Sequence, residues 1–111
     1  MPNPIDEGTK TTDGTKQALY TSSTNRVTQL FVNMDNSTSG ETIVIHEEIK
    51  VLTGDSVAAV RKTTLPGADG GLPGGALIFQ TDPLASPYGV TYSIEKTGGT
   101  NRDYKWGVRE L

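Results

Sequence analysis

A chain of 111 residues with 13 acidic and 10 basic side chains carries a formal charge of −3. It fits one domain by size, and no Lys/Arg cluster offers the basic face that a duplex-binding domain needs. There is no cysteine, which excludes disulfides, thiol nucleophiles and zinc–thiolate sites. No apolar run approaches the ~18 residues that span a bilayer, and the first residues lack the basic start and apolar core of a secretory signal. Synthesis in the cytosol, with no nucleic-acid or membrane partner, is the expectation.

The first sixteen residues, MPNPIDEGTKTTDGTK, hold one sizeable aliphatic side chain beyond Met1, namely Ile5. They lack alternation, and their Gly, Pro, Thr and Asp favour extended or turn backbone. Fully extended they would reach about 50 Å, more than the width of so small a domain. Residues 1–16 are therefore expected to form an extended N-terminal arm, the alternative being a disordered tail, and residues 17–111 to form the folded body. The doubled Gly-Thr-Lys, Gly8–Lys10 and Gly14–Lys16, would set two similar polar patches ~20 Å apart on such an arm. Ile5, Lys10, Asp13 and Lys16 are the residues expected to meet a partner.

From there the pattern is strand and turn. Gln17–Thr21 predicts a short strand and Arg26–Asp35 a longer one, with Leu30, Val32 and Met34 on one face. After the turn NSTSGE, Thr42–Leu52 sets Ile43, Ile45, Ile49 and Val51 on one face and Val44, His46, Glu48 and Lys50 on the other. This is period-two patterning, broken by Glu47 on the apolar register. Ser56–Leu65, Ala76–Thr81, Val90–Lys96 and Tyr104–Glu110 complete seven or eight strands. The Gly-rich residues 66–75 read as a surface loop and 97–103 as a wide hairpin. No segment holds a helical stripe, so the expected fold is all-β, an antiparallel, jelly-roll-like β-sandwich. Its core is expected to comprise Leu30, Val32, Ile43, Ile45, Ile49, Val51, Ile94 and Trp106.

Residue chemistry points to no reaction. His46 is the only histidine. Together with Glu47 and Glu48 it offers ligands on alternating faces, and the second histidine of H-E-x-x-H is missing. A solvated strand-face histidine is expected. Glu47 reads as a bulge or edge position, or as the partner of Arg61 or Arg109. Asp35–Glu41 (DNSTSGE) resembles the front of a calcium loop, but Ser37 and Ser39 stand at ligand positions and His46 at the twelfth; an Asx-type turn is expected instead. Asn36-Ser37-Thr38 is a glycosylation sequon that means nothing without a secretory signal. GADGGLPGG lacks the Lys-Ser/Thr and the helix of a phosphate loop. No serine stands in a G-x-S-x-G elbow. The chain is expected to be no enzyme and to need no cofactor or metal.

Several short stretches carry a resemblance. They are Pro4-Ile5-Asp6-Glu7-Gly8, Thr11-Thr12-Asp13-Gly14-Thr15, Thr24-Asn25-Arg26, Gly40-Glu41-Thr42, Leu52-Thr53-Gly54, and Lys96-Thr97-Gly98-Gly99-Thr100-Asn101-Arg102 with Trp106 and Leu111. In this order the sequence resembles a group of small virion proteins of tailed bacteriophages, departing from it at Glu47 and in the 66–75 loop. The resemblance implies a capsid decoration or cement protein, made in the host cytoplasm and lodged on the capsid surface. The partners it implies are the major capsid protein and further copies of itself, a trimer first and a dimer second. It implies no catalytic residues. A head-fibre or tail component is the runner-up. From other classes come a carbohydrate-binding module using Trp106 and a glycosidase fragment.

Overall fold

A computed structural model describes residues 3–111, with only the backbone of residue 3. Nine strands follow one another: β1 (Asn3–Thr11), β2 (Lys16–Thr21), β3 (Arg26–Asn33), β4 (Thr42–Ile49), β5 (Ala58–Pro66), β6 (Ile78–Gln80), β7 (Leu84–Ser86), β8 (Val90–Gly98) and β9 (Asp103–Glu110). The described residues contain no helix, in agreement with the all-β expectation. The strands form two antiparallel sheets. One runs β1-β9-β3-β6, with β7 also on β3, and the other runs β2-β8-β4-β5.

The core lies where the alternating apolar faces of the two sheets meet. Leu30 and Val32 from β3, Ile43 and Ile45 from β4, Tyr92 and Ile94 from β8, and Tyr104 and Val108 from β9 are almost wholly excluded from solvent. Each such side chain contributes about 1.5–3 kcal/mol by leaving water. Register explains why these residues come together. Leu30 stands opposite Val108, and Ile45 opposite Ile94, so one apolar row continues across each sheet. Thr28 and Tyr92 join the two sheets through a buried 2.8 Å hydrogen bond between their hydroxyls.

The sequence expectations need four corrections. Residues 3–11 are no free arm. They are the edge strand β1, antiparallel to β9 from Asn3↔Glu110 to Thr11↔Asp103, with a register shift at Ile5. The chain then turns at Asp13–Thr15 and enters the other sheet as β2. Gly8–Lys10 therefore lies in one sheet, while Gly14 and Thr15 lie in the turn and Lys16 opens the other sheet, so no single seam joins the two repeats. Backbone pairing satisfies β1 where apolar side chains are too few to do so.

Two parts of the expected core, three residues in all, also shift. Val51 is 69% exposed and Ile49 only half-buried. β4 ends at Ile49 and its pairing with β5 slips between Glu47 and Glu48, so the alternation begun at Ile43 does not reach Val51. Trp106 is half-buried rather than central, because its neighbour on β1 is Gly8, at the open edge of the sheet. Finally, the Gly-rich loop 66–75 is anchored, not merely superficial. Gly67 N–H donates to the Glu41 carbonyl (2.7 Å), Gly70 N–H donates to the Ser37 carbonyl (2.9 Å), and Leu72 packs on the core.

Candidate functional site

Two buried polar clusters mark the two ends of β4. The first centres on Glu41, just before the strand. Arg102 Nε donates to both its carboxylate oxygens at 2.8 and 3.0 Å, Lys96 Nζ donates at 3.2 Å and the Thr38 N–H at 3.1 Å. Lys96 also donates to the Tyr104 hydroxyl at 2.8 Å. Burial alone pushes the Glu41 carboxyl up, but the Arg102, Thr38 and Lys96 bonds outweigh it and hold the group at about 2. The backbone allows this closeness at Gly99. Its φ is +91°, and a Cβ there would lie 2.6 Å from Glu41 Cγ. Thr12 ties the β1–β2 connection to the same cluster, since Arg102 N–H donates to Thr12 Oγ1 (3.0 Å) and Thr12 N–H donates to the Arg102 carbonyl (3.0 Å). Every charge here has a partner, so the cluster acts as a clasp between the 34–41 and 97–102 connections.

The calcium-like loop Asp35–Glu41 ends in this clasp. The oxygens of Glu41 are already held by Arg102 and Lys96, and among the described residues no group of three His, Asp or Glu is placed to hold a metal ion.

The second cluster surrounds Glu47, which is fully buried on the core side of β4. Neither of its oxygens has a hydrogen-bond partner, and Arg61 Nε lies 3.6 Å from Oε2. Arg61 also reaches Asp82, Nη1 to Oδ2 at 3.4 Å. Burial raises the Glu47 pKa; Arg61 opposes the rise and Asp82 adds to it. The expected bulge and the expected Arg61 pairing both occur. Arg109 instead stacks over Phe31, 5.7 Å from the ring centre, in the other sheet.

His46 lies on the outer face of its sheet, as alternation requires, but it is buried rather than solvated. β4 is an inner strand, and Glu95 from β8 folds over the ring, its Oε1 2.9 Å from His46 Nε2. Nδ1 has no partner.

The four residues read as partner contacts are scattered. Ile5 packs against the core at the β1 irregularity. Lys10 stands opposite Tyr104. Asp13 accepts from the Thr15 N–H (2.9 Å) and hydroxyl in the turn, and these bonds lower its pKa. Lys16 pairs with Glu48 of β4 at 2.9 Å.

Alternation missed a different surface feature. The β4–β5 connection carries Val51 (69% exposed), Leu52 (62% exposed) and Val57, and Val60 follows on β5. All four are exposed apolar side chains on this connection and the strand that follows it. The only sequence signal of this feature is an apolar Val-Leu pair beside the Thr53-Gly54-Asp55 turn. No cavity opens among the described residues.

No protein-family profile and no curated protein matches the sequence. A solved structure similar in fold is the crystal structure of the Yersinia pseudotuberculosis-derived mitogen (YPM). It has a TM-score of 0.57 and 14% identity, covering 97% of this chain and 86% of that one. At that identity the likeness extends to the fold alone.

Proposed function

We propose that the chain is a virion structural protein of a tailed bacteriophage, a decoration protein that seats on the assembled capsid and braces it across capsomer boundaries. The partners are the major capsid protein and further copies of the chain, and the location is the capsid surface. The strand order β1-β9-β3-β6 over β2-β8-β4-β5 supports reading the body as a jelly-roll β-sandwich. The resemblance in Pro4–Gly8, Thr11–Thr15 and Lys96–Arg102 supports the phage assignment.

The observation that carries the proposal is the exposed apolar character of the β4–β5 connection. Water-exposed Val51 and Leu52, joined by Val57 and Val60, sit on a hairpin whose base is held by the paired strands β4 and β5. Exposed apolar side chains gathered on one hairpin suit a protein surface, and repeated copies on a lattice turn a small contact into firm attachment. Trp106 does not favour a sugar-binding reading, since its indole edge lies against Gly8 and the residue is half-buried against the core.

The test is co-sedimentation with empty phage heads. Wild type pellets with the heads, while the double variant Val51→Asp, Leu52→Asp keeps its fold and stays in the supernatant. Equal pelleting of the two, or pelleting with polysaccharide in place of heads, rejects the proposal.

A further inference from the structure

We propose that two copies of the chain pair edge to edge through β1, antiparallel about a two-fold axis at Gly8. The pairing stands apart from the capsid reading, since it rests on β1 and on Trp106 beside it in β9. β1 is the outer strand of its sheet, bonded on one side only, to β9. An open edge carries unpaired N–H and C=O groups that a second strand can meet.

Charge selects which edge and which register. β5 is also an outer strand, but its charged residues are Arg61 and Lys62, both cationic, so a second β5 is repelled. β6 and β7 have three residues each, and the outer strand β2 has Lys16 as its one charged residue, already paired with Glu48, so none of them offers complementary charges. β1 carries both signs about a glycine, Asp6-Glu7-Gly8-Thr9-Lys10. Centred on Gly8, antiparallel pairing sets each Asp6 opposite the partner strand's Lys10 and each Glu7 opposite Thr9. Two opposite-charge pairs then form at once, on the same face of the joined sheet. Among the described residues neither Asp6 nor Lys10 makes an ion pair within its own chain, so both are available.

Trp106 supplies an independent reason. It stands opposite Gly8 across the β1–β9 pairing, and a Cβ on Gly8 would lie 3.2 Å from indole Cζ2 and Nε1. The ring edge thus lies directly over Gly8, on the outer strand of the sheet, and the residue is half-buried. Opposed residues of antiparallel strands stand about 5 Å apart at Cα. Two Gly8 residues facing each other at the axis bring the two indole edges together above a stretch with no side chains to separate them. The half-exposed ring is covered, and the two five-stranded sheets become one. Pro4, which lacks an N–H, stands beyond this ladder and ends it.

The experiment measures the mass of the full chain in solution across a dilution series, with circular dichroism confirming the fold of each variant. Wild type approaches twice 11.8 kDa as concentration rises. Asp6→Lys alone and Lys10→Asp alone stay monomeric, because each opposes like charges twice. Mixed one to one, the two variants form a heterodimer, because the two lysines on β1 of the first then face the two aspartates on β1 of the second. Emission from Trp106, the single tryptophan, shifts to the red as wild type dissociates, a readout that needs no variant. A wild type that stays monomeric or forms trimers overturns the proposal. So do single variants that associate like wild type, a mixture that stays monomeric, or an emission that ignores association.

Discussion

Arg102 grips Glu41 through one nitrogen shared between both carboxylate oxygens, at 2.8 and 3.0 Å, across 61 residues of chain. Lys96 completes the clasp from beneath, with 1% of its side chain exposed. A buried ion pair of this kind adds little over a well-packed apolar replacement, yet breaking it leaves a charge stranded. Glu41→Gln is therefore expected to cost about 3–5 kcal/mol, a large share of a total of about 5–15 kcal/mol. Chemical denaturation at neutral pH measures it.

The same clasp sets the acid limit. Glu41 has its pKa lowered from 4.5 to about 2 in the folded chain. A depressed folded pKa contributes stability that is present above the unfolded value and is lost as pH falls through the folded one. Wild type should lose stability between pH 4.5 and about 2, and Glu41→Gln should lose less over the same interval. Melting temperatures taken through that window give the comparison, and parallel curves would count against it.

Glu47 behaves in the opposite sense. Its pKa is raised by burial, so the folded chain holds that proton more tightly than the unfolded chain. Its contribution is most favourable below the unfolded value and is lost as pH rises through the folded one. Glu47→Met removes a buried carboxylate whose oxygens lack hydrogen bonds and leaves Arg61 with Asp82 and water. The variant should be more stable than wild type at pH 7 by about 1 kcal/mol, and the gain should shrink as pH falls. Paired melts at neutral and acid pH check both the sign and the trend.

β1 should be part of the folding unit. Removing residues 1–11 strips β9 of its outer partner along its whole length and uncovers Trp106. With a net contribution of about 1 kcal/mol per backbone hydrogen bond, the loss should be several kcal/mol. The truncated chain should melt well below the full chain, with Trp106 emission shifted to the red. A melt within a few degrees of the full chain would return β1 to the status of a loose arm.

Exposure separates two aliphatic residues that alternation placed together in the core. Leu30 is wholly buried and Val51 is 69% exposed. Leu30→Ala should cost about 2–5 kcal/mol, whereas Val51→Ala should stay within about 0.5 kcal/mol of wild type. Denaturant midpoints at constant slope decide it.

By itself the sequence determined what is local. Alternation along Arg26–Asn33, Thr42–Ile45 and Val90–Ile94 placed strands and named Leu30, Val32, Ile43, Ile45 and Ile94 as interior, because successive Cβ atoms must point to opposite faces of any strand. Asp13-Gly14-Thr15, read as part of an extended arm, is instead a turn, although its bonds close within two residues. Tertiary structure decided whatever depends on a distant partner. Residues 3–11 look unfoldable alone and become β1 only because β9 offers its edge, with Thr11 bonded to Asp103 across 92 residues. Glu41 reads as a turn acid until Lys96 and Arg102 arrive beside it. Val51 loses its place in the core, and Glu47 has its partner set, at a slip of register against β5. Of the four partner-contact residues, only Asp13 had its setting written locally. Ile5, Lys10 and Lys16 take theirs from the core, β9 and β4, because a strand's face and edge acquire neighbours only when the sheets assemble.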